Sequence, residues 1–351
     1  MKAKSFIQII HHFRDDALST PEPPAEKVAI FDEAQRAWTQ KMLSKFMSQK
    51  KGKQNFSMSE PEFLIRIMDR HIDWAVIICL IGGGQEINTG EAGLLEWFDS
   101  LKKDFSNWDV YISDKITDSE YIHEKKIEDI MKGVNYKIIE ELHLGVSLRS
   151  FRNENVARFI KSILDVEIET ARNLCNLLKE TYPIFITRDL EKAKETVRGW
   201  AKGTERFGIV ASSGAKRIRS VGVWVQSKIE AENWFLNGPE DVRSSYFLED
   251  AATEFDIQGL ELDWTIMCWD ANLRFTKNHF DYYAFKGSKW NSINIKESIL
   301  YLKNSYRVLL TRARQGMVVF IPHGDASDKT RQSDFYDGTF RYLKDIGLRE
   351  I

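Results

Sequence analysis

The chain has 351 residues, of which 43% are hydrophobic and 29% charged, enough for two domains with ordinary cores. A formal net charge of −2 removes bulk basicity as a reason to bind nucleic acid, so any such binding rests on local patches. Cys79, Cys175 and Cys268 are far apart with no CxxC or Cys/His cluster, which argues against a zinc site or disulfide framework and fits a reducing cytosol.

The opening "MKAKSFIQIIHHF" has too short an apolar core for a signal peptide, and no later run approaches a membrane span. A cytoplasmic protein without a membrane partner is the expectation. "TPEPPAEK" (20–27) reads as a surface loop. It leads into Val28, Ala29, Ile30 and Phe31, which read as a buried strand. Asp32 and Glu33 then fall at the carboxyl end of that strand, where a parallel sheet places its ligands. "AQR" (34–36) continues naturally into a helix. "SQKKGKQNFSMSEPE" (48–62) is a polar loop ending in a helix start, with Ser59 as cap and Pro61 in the first turn. "WAVIICLIGGG" (74–84) is a second continuous apolar strand ending in glycines that permit close backbone approach. Gln85 comes next; Ile87 stands where a dinucleotide fingerprint needs its third glycine.

"KIIEELHLGVSLRS" (137–150) reads as a strand or helix followed by a strand, and 153–182 has helical spacing. The domain junction is placed here, giving units 1–145 and 146–351. Five strands are expected in the second unit, at 182–188, 207–213, 245–251, 264–270 and 317–323. Apolar strands alternating with helices imply an α/β fold with parallel sheets covered on both faces and a cleft between two domains.

Several stretches carry chemistry. Adjacent acids after a strand can hold magnesium and orient water, although a solvated acid pair reads the same way. "LGVSLRSFRN" (144–153) offers Arg149 and Arg152. In "ATEFDIQGLELDWTIMCWD" (252–270), Thr253 and Glu254 are expected to begin a helical turn that Gly259 breaks, and a hydroxyl at a helix start suits phosphate or caps the helix. "YRVLLTRARQGMVVFIP" (306–322) is expected to carry Arg307, Arg312 and Arg314 around one helix, one of them an arginine finger or all three solvated. Trp38 and Trp97 are the tryptophans to test for base stacking; Trp74, Trp264 and Trp269 read as core.

Four ordered blocks, "FDEAQRAW", "IGGGQEINTGEAGLLEW", "DVRSSYFLEDAATEFDIQGLELDW" and "YRVLLTRARQGMVVFIPHGD", resemble the superfamily 1 helicase core, and more closely the bacterial Schlafen-group-type DNA/RNA helicase-domain proteins. The resemblance implies two RecA-like domains, the cofactors ATP and Mg2+, and single-stranded DNA or RNA as partner. It implies Asp32 toward magnesium, Glu33 activating water and Gln85 sensing the γ-phosphate. It further implies Arg149 and Arg312 reaching the phosphates across the cleft. Thr253, Gln258, Gly259 and Glu261 fall in the motif that grips the nucleic acid backbone and the nucleotide sugar.

A phosphate loop, GxxxxGK followed by Ser or Thr, does not occur: Gly52–Lys53 is followed by Gln54, and Met47 stands in place of the first glycine. The expectation is therefore a first RecA-like domain incomplete at its N-terminus. A fragment is favoured over one half of a split ATPase paired with a separate phosphate-loop chain, and over an ATPase-dead relative. The competing functions are a non-catalytic nucleic-acid-binding or scaffold module and a nuclease, for which "PEDVRSSYFLED" (239–250) supplies acids but no PD…(D/E)xK arrangement.

Overall fold

The computed structural model describes residues 7–82, 93–117, 126–143 and 151–351, with backbone alone at 117 and 151–153. The chain divides into two compact units, Met1–Gly145 and Val146–Ile351.

In the first unit, β1 (Val28–Phe31) pairs in parallel with β2 (Val76–Cys79), and β3 (Asp109–Ile112) with β4 (Asn135–Ile138). Among the described residues these remain two separate two-stranded sheets. The longer helices among the described residues are α1 (Ile10–Ser19), α2 (Gln40–Lys51), α3 (Glu60–Met68) and α4 (Gly93–Asp104). The start of α3 is as expected: the Ser59 hydroxyl accepts the Glu62 N–H at 3.3 Å, and Pro61 sits where a missing N–H costs nothing. Leu43, Met47, Leu64, Trp97 and Phe98 form the centre of this core. Arg14 and Glu60, both buried, meet at 2.6 Å and pin α1 to the start of α3.

The expectation that β1 is a buried strand is corrected, and the apolar run of β2 is covered no better. Phe31, Ile77 and Cys79 pack on the core, but Val28, Ile30, Val76 and Ile78 are exposed, Ile30 by 61%. Alternate residues of a strand point to opposite faces, and among the described residues only one face of this pair is covered.

The second unit is built on a six-stranded sheet in the order β13-β5-β12-β8-β6-β7. Its strands are β5 (Ile184–Thr187), β6 (Phe207–Ala211), β7 (Ala251–Ala252), β8 (Leu262–Cys268), β12 (Ala313–Phe320) and β13 (Arg349–Glu350), every pair parallel. Its longer helices are α5 (Phe151–Leu164), α6 (Ile168–Leu178), α7 (Leu190–Trp200), α8 (Lys296–Leu310) and α9 (Asp334–Ile346). Met267 and Val319 face a core shared with Phe159, Leu174, Tyr306 and Leu343. Ile266 and Val318 face the opposite one, with Leu190 and Val197. Both faces are covered, so these strands read as unbroken apolar runs.

Residues 245–251 are not the strand expected of them. Ser245–Phe247 form a 3-10 turn, Leu248 closes it at φ +58 with its side chain buried, and only Ala251–Ala252 join the sheet. An element without a counterpart in the sequence reading lies between β8 and α8: an antiparallel meander of β9 (Leu273–Thr276), β10 (His279–Lys286) and β11 (Lys289–Ser292).

Candidate nucleotide and nucleic-acid site

In the first unit, Asp32 emerges exposed at the carboxyl end of β1, and its Oδ1 accepts the Glu33 N–H at 3.0 Å. Glu33 adopts φ +51, in the left-handed region that few non-glycine residues enter. The chain then makes one 3-10 turn, Ala34–Arg36, in place of a continuing helix. Gln35 is 1% exposed. Its Nε2 donates to Glu33 Oε2 at 2.6 Å, and its Oε1 accepts the Gly82 N–H at 3.2 Å. The Ala34 N–H reaches the Leu80 carbonyl at 3.0 Å. One buried amide thus links the acid pair to the start of the glycine run after β2. Nothing in the sequence marks Gln35, because its direction depends on the unusual turn at Glu33.

A hard cation takes oxygen ligands. Asp32 has one oxygen on a backbone N–H and an exposed side chain, which fits a magnesium ion held through water. Trp97 does not suit base stacking: it is buried and its indole donates to the Ala34 carbonyl at 2.8 Å. Trp38 packs edge-on against Phe46 and under the Arg14 guanidinium. Gln85 and Arg149 lie outside the described residues, as does the side chain of Arg152.

In the second unit, the segment between β7 and β8 is a closed turn rather than a helix start. Thr253 donates to Asp256 Oδ2 from its hydroxyl at 2.6 Å and from its N–H at 2.8 Å, and its carbonyl accepts the N–H of Asp256 and Ile257. The hydroxyl expected to meet phosphate is therefore spent within the loop. A Thr with an acid three residues on was the available signal. Gly259 turns the chain at φ +76. The half-buried Gln258 has a buried Nε2 without a hydrogen-bond partner.

Glu261 immediately precedes β8 and Arg312 immediately precedes β12; the two strands are neighbours, and the Leu262 N–H bonds the Arg312 carbonyl at 3.0 Å. These two residues are therefore brought together at the amino ends of the strands, while Thr253 stands at the carboxyl end of β7. Tyr182 lies beneath them, its hydroxyl donating to the Ala313 carbonyl at 2.9 Å. Burial, and then the Glu261 carboxylate, push the Tyr182 phenol well above its usual range.

Arg307, Arg312 and Arg314 do not surround one helix. Only Arg307 belongs to α8, which ends where the Thr311 hydroxyl turns back onto the Arg307 and Val308 carbonyls. Arg312, 4% exposed, lies in the connection, with Nε on the Val308 carbonyl at 3.1 Å. Arg314 is in β12, half-exposed, 3.4 Å from Asp263.

The carboxyl ends of β6 and β8 carry a second polar cluster that the sequence reading missed. The fully buried Asp270 accepts from the Arg217 and Ala271 N–H groups, each at 2.7 Å, and from the Tyr336 hydroxyl at 3.0 Å. Burial pushes its carboxyl upward against these donors. Glu254 similarly accepts the Ser213 N–H at 2.8 Å and hydroxyl at 2.7 Å.

Over residues 1–323 the sequence matches the model of the family described as Schlafen group 3, DNA/RNA helicase domain. The chain belongs to this family. The match runs through both units. With the all-parallel sheet of the second, it establishes the RecA-like α/β arrangement that the four blocks implied. No curated protein matches the chain. A Schlafen group 3 helicase domain is a nucleic-acid-handling module, and among the described residues no helix is long and apolar enough to cross a membrane.

Proposed function

We propose that this Schlafen group 3 chain forms the acid, arginine and nucleic-acid-gripping part of an NTP-dependent DNA or RNA helicase or translocase. The observation that carries the reading is the turn in which Gln35 links Glu33 to Gly82. An acid pair at a strand's carboxyl end, tied to the next strand's glycine loop, is suited to register a nucleotide. In this reading Asp32 holds magnesium through water, and the ion neutralises phosphate charge when bound. Glu33 orients the attacking water. Glu261 meets the nucleotide sugar, and Arg312, with Gln85 and Arg149, meets the phosphates. Gln258 and Gly259 contact the nucleic acid backbone, on a loop that Thr253 shapes.

No phosphate loop occurs within the 351 residues, so turnover needs one supplied by an upstream segment or a separate chain. The test is phosphate release from magnesium–ATP by this chain, with and without single-stranded DNA or RNA, beside binding of the same strands. Salt-sensitive strand binding without turnover is expected. Magnesium-dependent turnover by these residues alone removes the need for an outside loop; absence of strand binding favours a scaffold.

A further inference from the structure

The β9–β10–β11 meander is basic within a chain of net charge −2: Lys277, Lys286 and Lys289 are exposed and Asp281 is the one acid between Leu273 and Ser292. None of the three lysines has an ion pair among the described residues. Other lysines of the same unit do: Lys161 and Lys303 share Asp165, Lys194 meets Glu191, and Lys344 meets Glu350. Asp281 is already committed to Thr276 and His279.

The strand register sharpens this. Lys286 stands directly opposite Lys289 across the Gly287–Ser288 turn. Like charges facing each other across an antiparallel pair destabilise it, and their side chains leave the sheet on the same face, Cβ atoms about 5 Å apart. The stem below is fixed. Phe285 and Trp290 meet edge to face at 5.1 Å, and the Trp290 indole donates to the Thr330 carbonyl at 2.8 Å. The Arg217 guanidinium lies 5.2 Å from the Phe285 ring, and that of Arg274 5.2 Å from Trp290. Arg217 Nε and Arg274 Nη2 are buried without a hydrogen-bond partner, Arg274 itself being 5% exposed. A fixed hairpin thus presents two adjacent cations without an ion pair at its tip, while the guanidiniums beside its stem are already engaged, Arg217 with Asp328 and Arg274 with the Ala271 carbonyl.

We propose that the β10–β11 hairpin binds the sugar–phosphate backbone of a nucleic acid, Lys286 and Lys289 each neutralising one phosphate. This deepens the reading above and rests on it. Phosphates supply the negative charge that the fold withholds, and long flexible ammonium stems reach neighbouring phosphates without demanding one geometry.

The test uses the full chain, wild type and two double variants, Lys286→Glu with Lys289→Glu and Lys286→Gln with Lys289→Gln. Each is titrated against fluorescent single strands of DNA and of RNA over a range of salt. The neutral variant is expected to give a slope of log K against log salt shallower by about 1.4, two contacts at about 0.7 each, on at least one strand type. The charge-reversed variant binds more weakly still. The Gln pair removes the facing charges, so its fold is not at risk. Wild type and both variants binding alike, with the same slope, overturns the hairpin contact and leaves the nucleic-acid reading standing. Wild type binding neither strand overturns both.

Discussion

Gln35 occupies a position where one amide satisfies a carboxylate and a backbone N–H, 2.6 and 3.2 Å away. Leucine there keeps the volume and removes both bonds. Gln35→Leu is expected to cost about 1–2 kcal/mol, read as a lower urea midpoint for the first unit at unchanged slope. An unchanged midpoint would mean that water serves Gly82 and Glu33 equally well. At this scale the sequence is informative where chemistry is tied to a strand end, as with Asp32 and Glu33. It is silent where a side chain's direction depends on a backbone excursion: the φ of +51 at Glu33 aims Gln35 back at the acids, and nothing in "DEAQR" announces a left-handed glutamate. Thr253 shows the converse. Its hydroxyl reads as available in the sequence, but Asp256, three residues on, takes it.

The loop that links β12 to α9 is held by Asp328, which accepts the Thr330 hydroxyl at 2.7 Å, the Thr330 N–H at 2.8 Å and the Arg217 guanidinium at 2.7 Å. The Thr330 hydroxyl and N–H, and then Arg217, pull its carboxyl down to about 2. A carboxyl pulled below its unfolded value of about 3.9 stabilises the loop fully above that pH, and the contribution is lost as pH falls toward 2. Trp290 bonds the Thr330 carbonyl, so its fluorescence should change over that acid range, and Asp328→Asn should show the altered signal already at neutral pH. If Asp328→Asn follows the wild-type curve, the carboxylate does not hold the loop. Elements are legible in the sequence in proportion to how they are buried. Strands β8 and β12 are covered on both faces and appear as unbroken apolar runs. The meander, half-covered and lysine-studded, alternates with no clean period and has no such signature. Arg312 reads as helical because "YRVLLTRAR" has helical spacing up to Thr311, whose hydroxyl ends α8 one residue before it.

At the scale of the whole chain, each hydrophobic core of the described residues is assembled within one unit: one from 17–134, the other two from 156–348 and 190–320. The second unit's two cores lie on the faces of one sheet and melt together, whereas the first unit has sheets of its own and forms a separate cooperative body. Calorimetry should resolve two transitions, with the first unit, whose described strands form only two-stranded sheets, melting at the lower temperature. A single transition with matching calorimetric and van't Hoff enthalpies would contradict this. The outward side of β1 and β2 has a consequence for handling the protein. Val28, Ile30, Val76 and Ile78 form a sticky apolar stripe. The net charge of −2 provides little long-range repulsion to keep molecules apart. These four aliphatic side chains are therefore one site through which molecules are expected to associate. One hydroxyl introduced on that stripe, as in Ile30→Thr, is expected to raise solubility at unchanged pH.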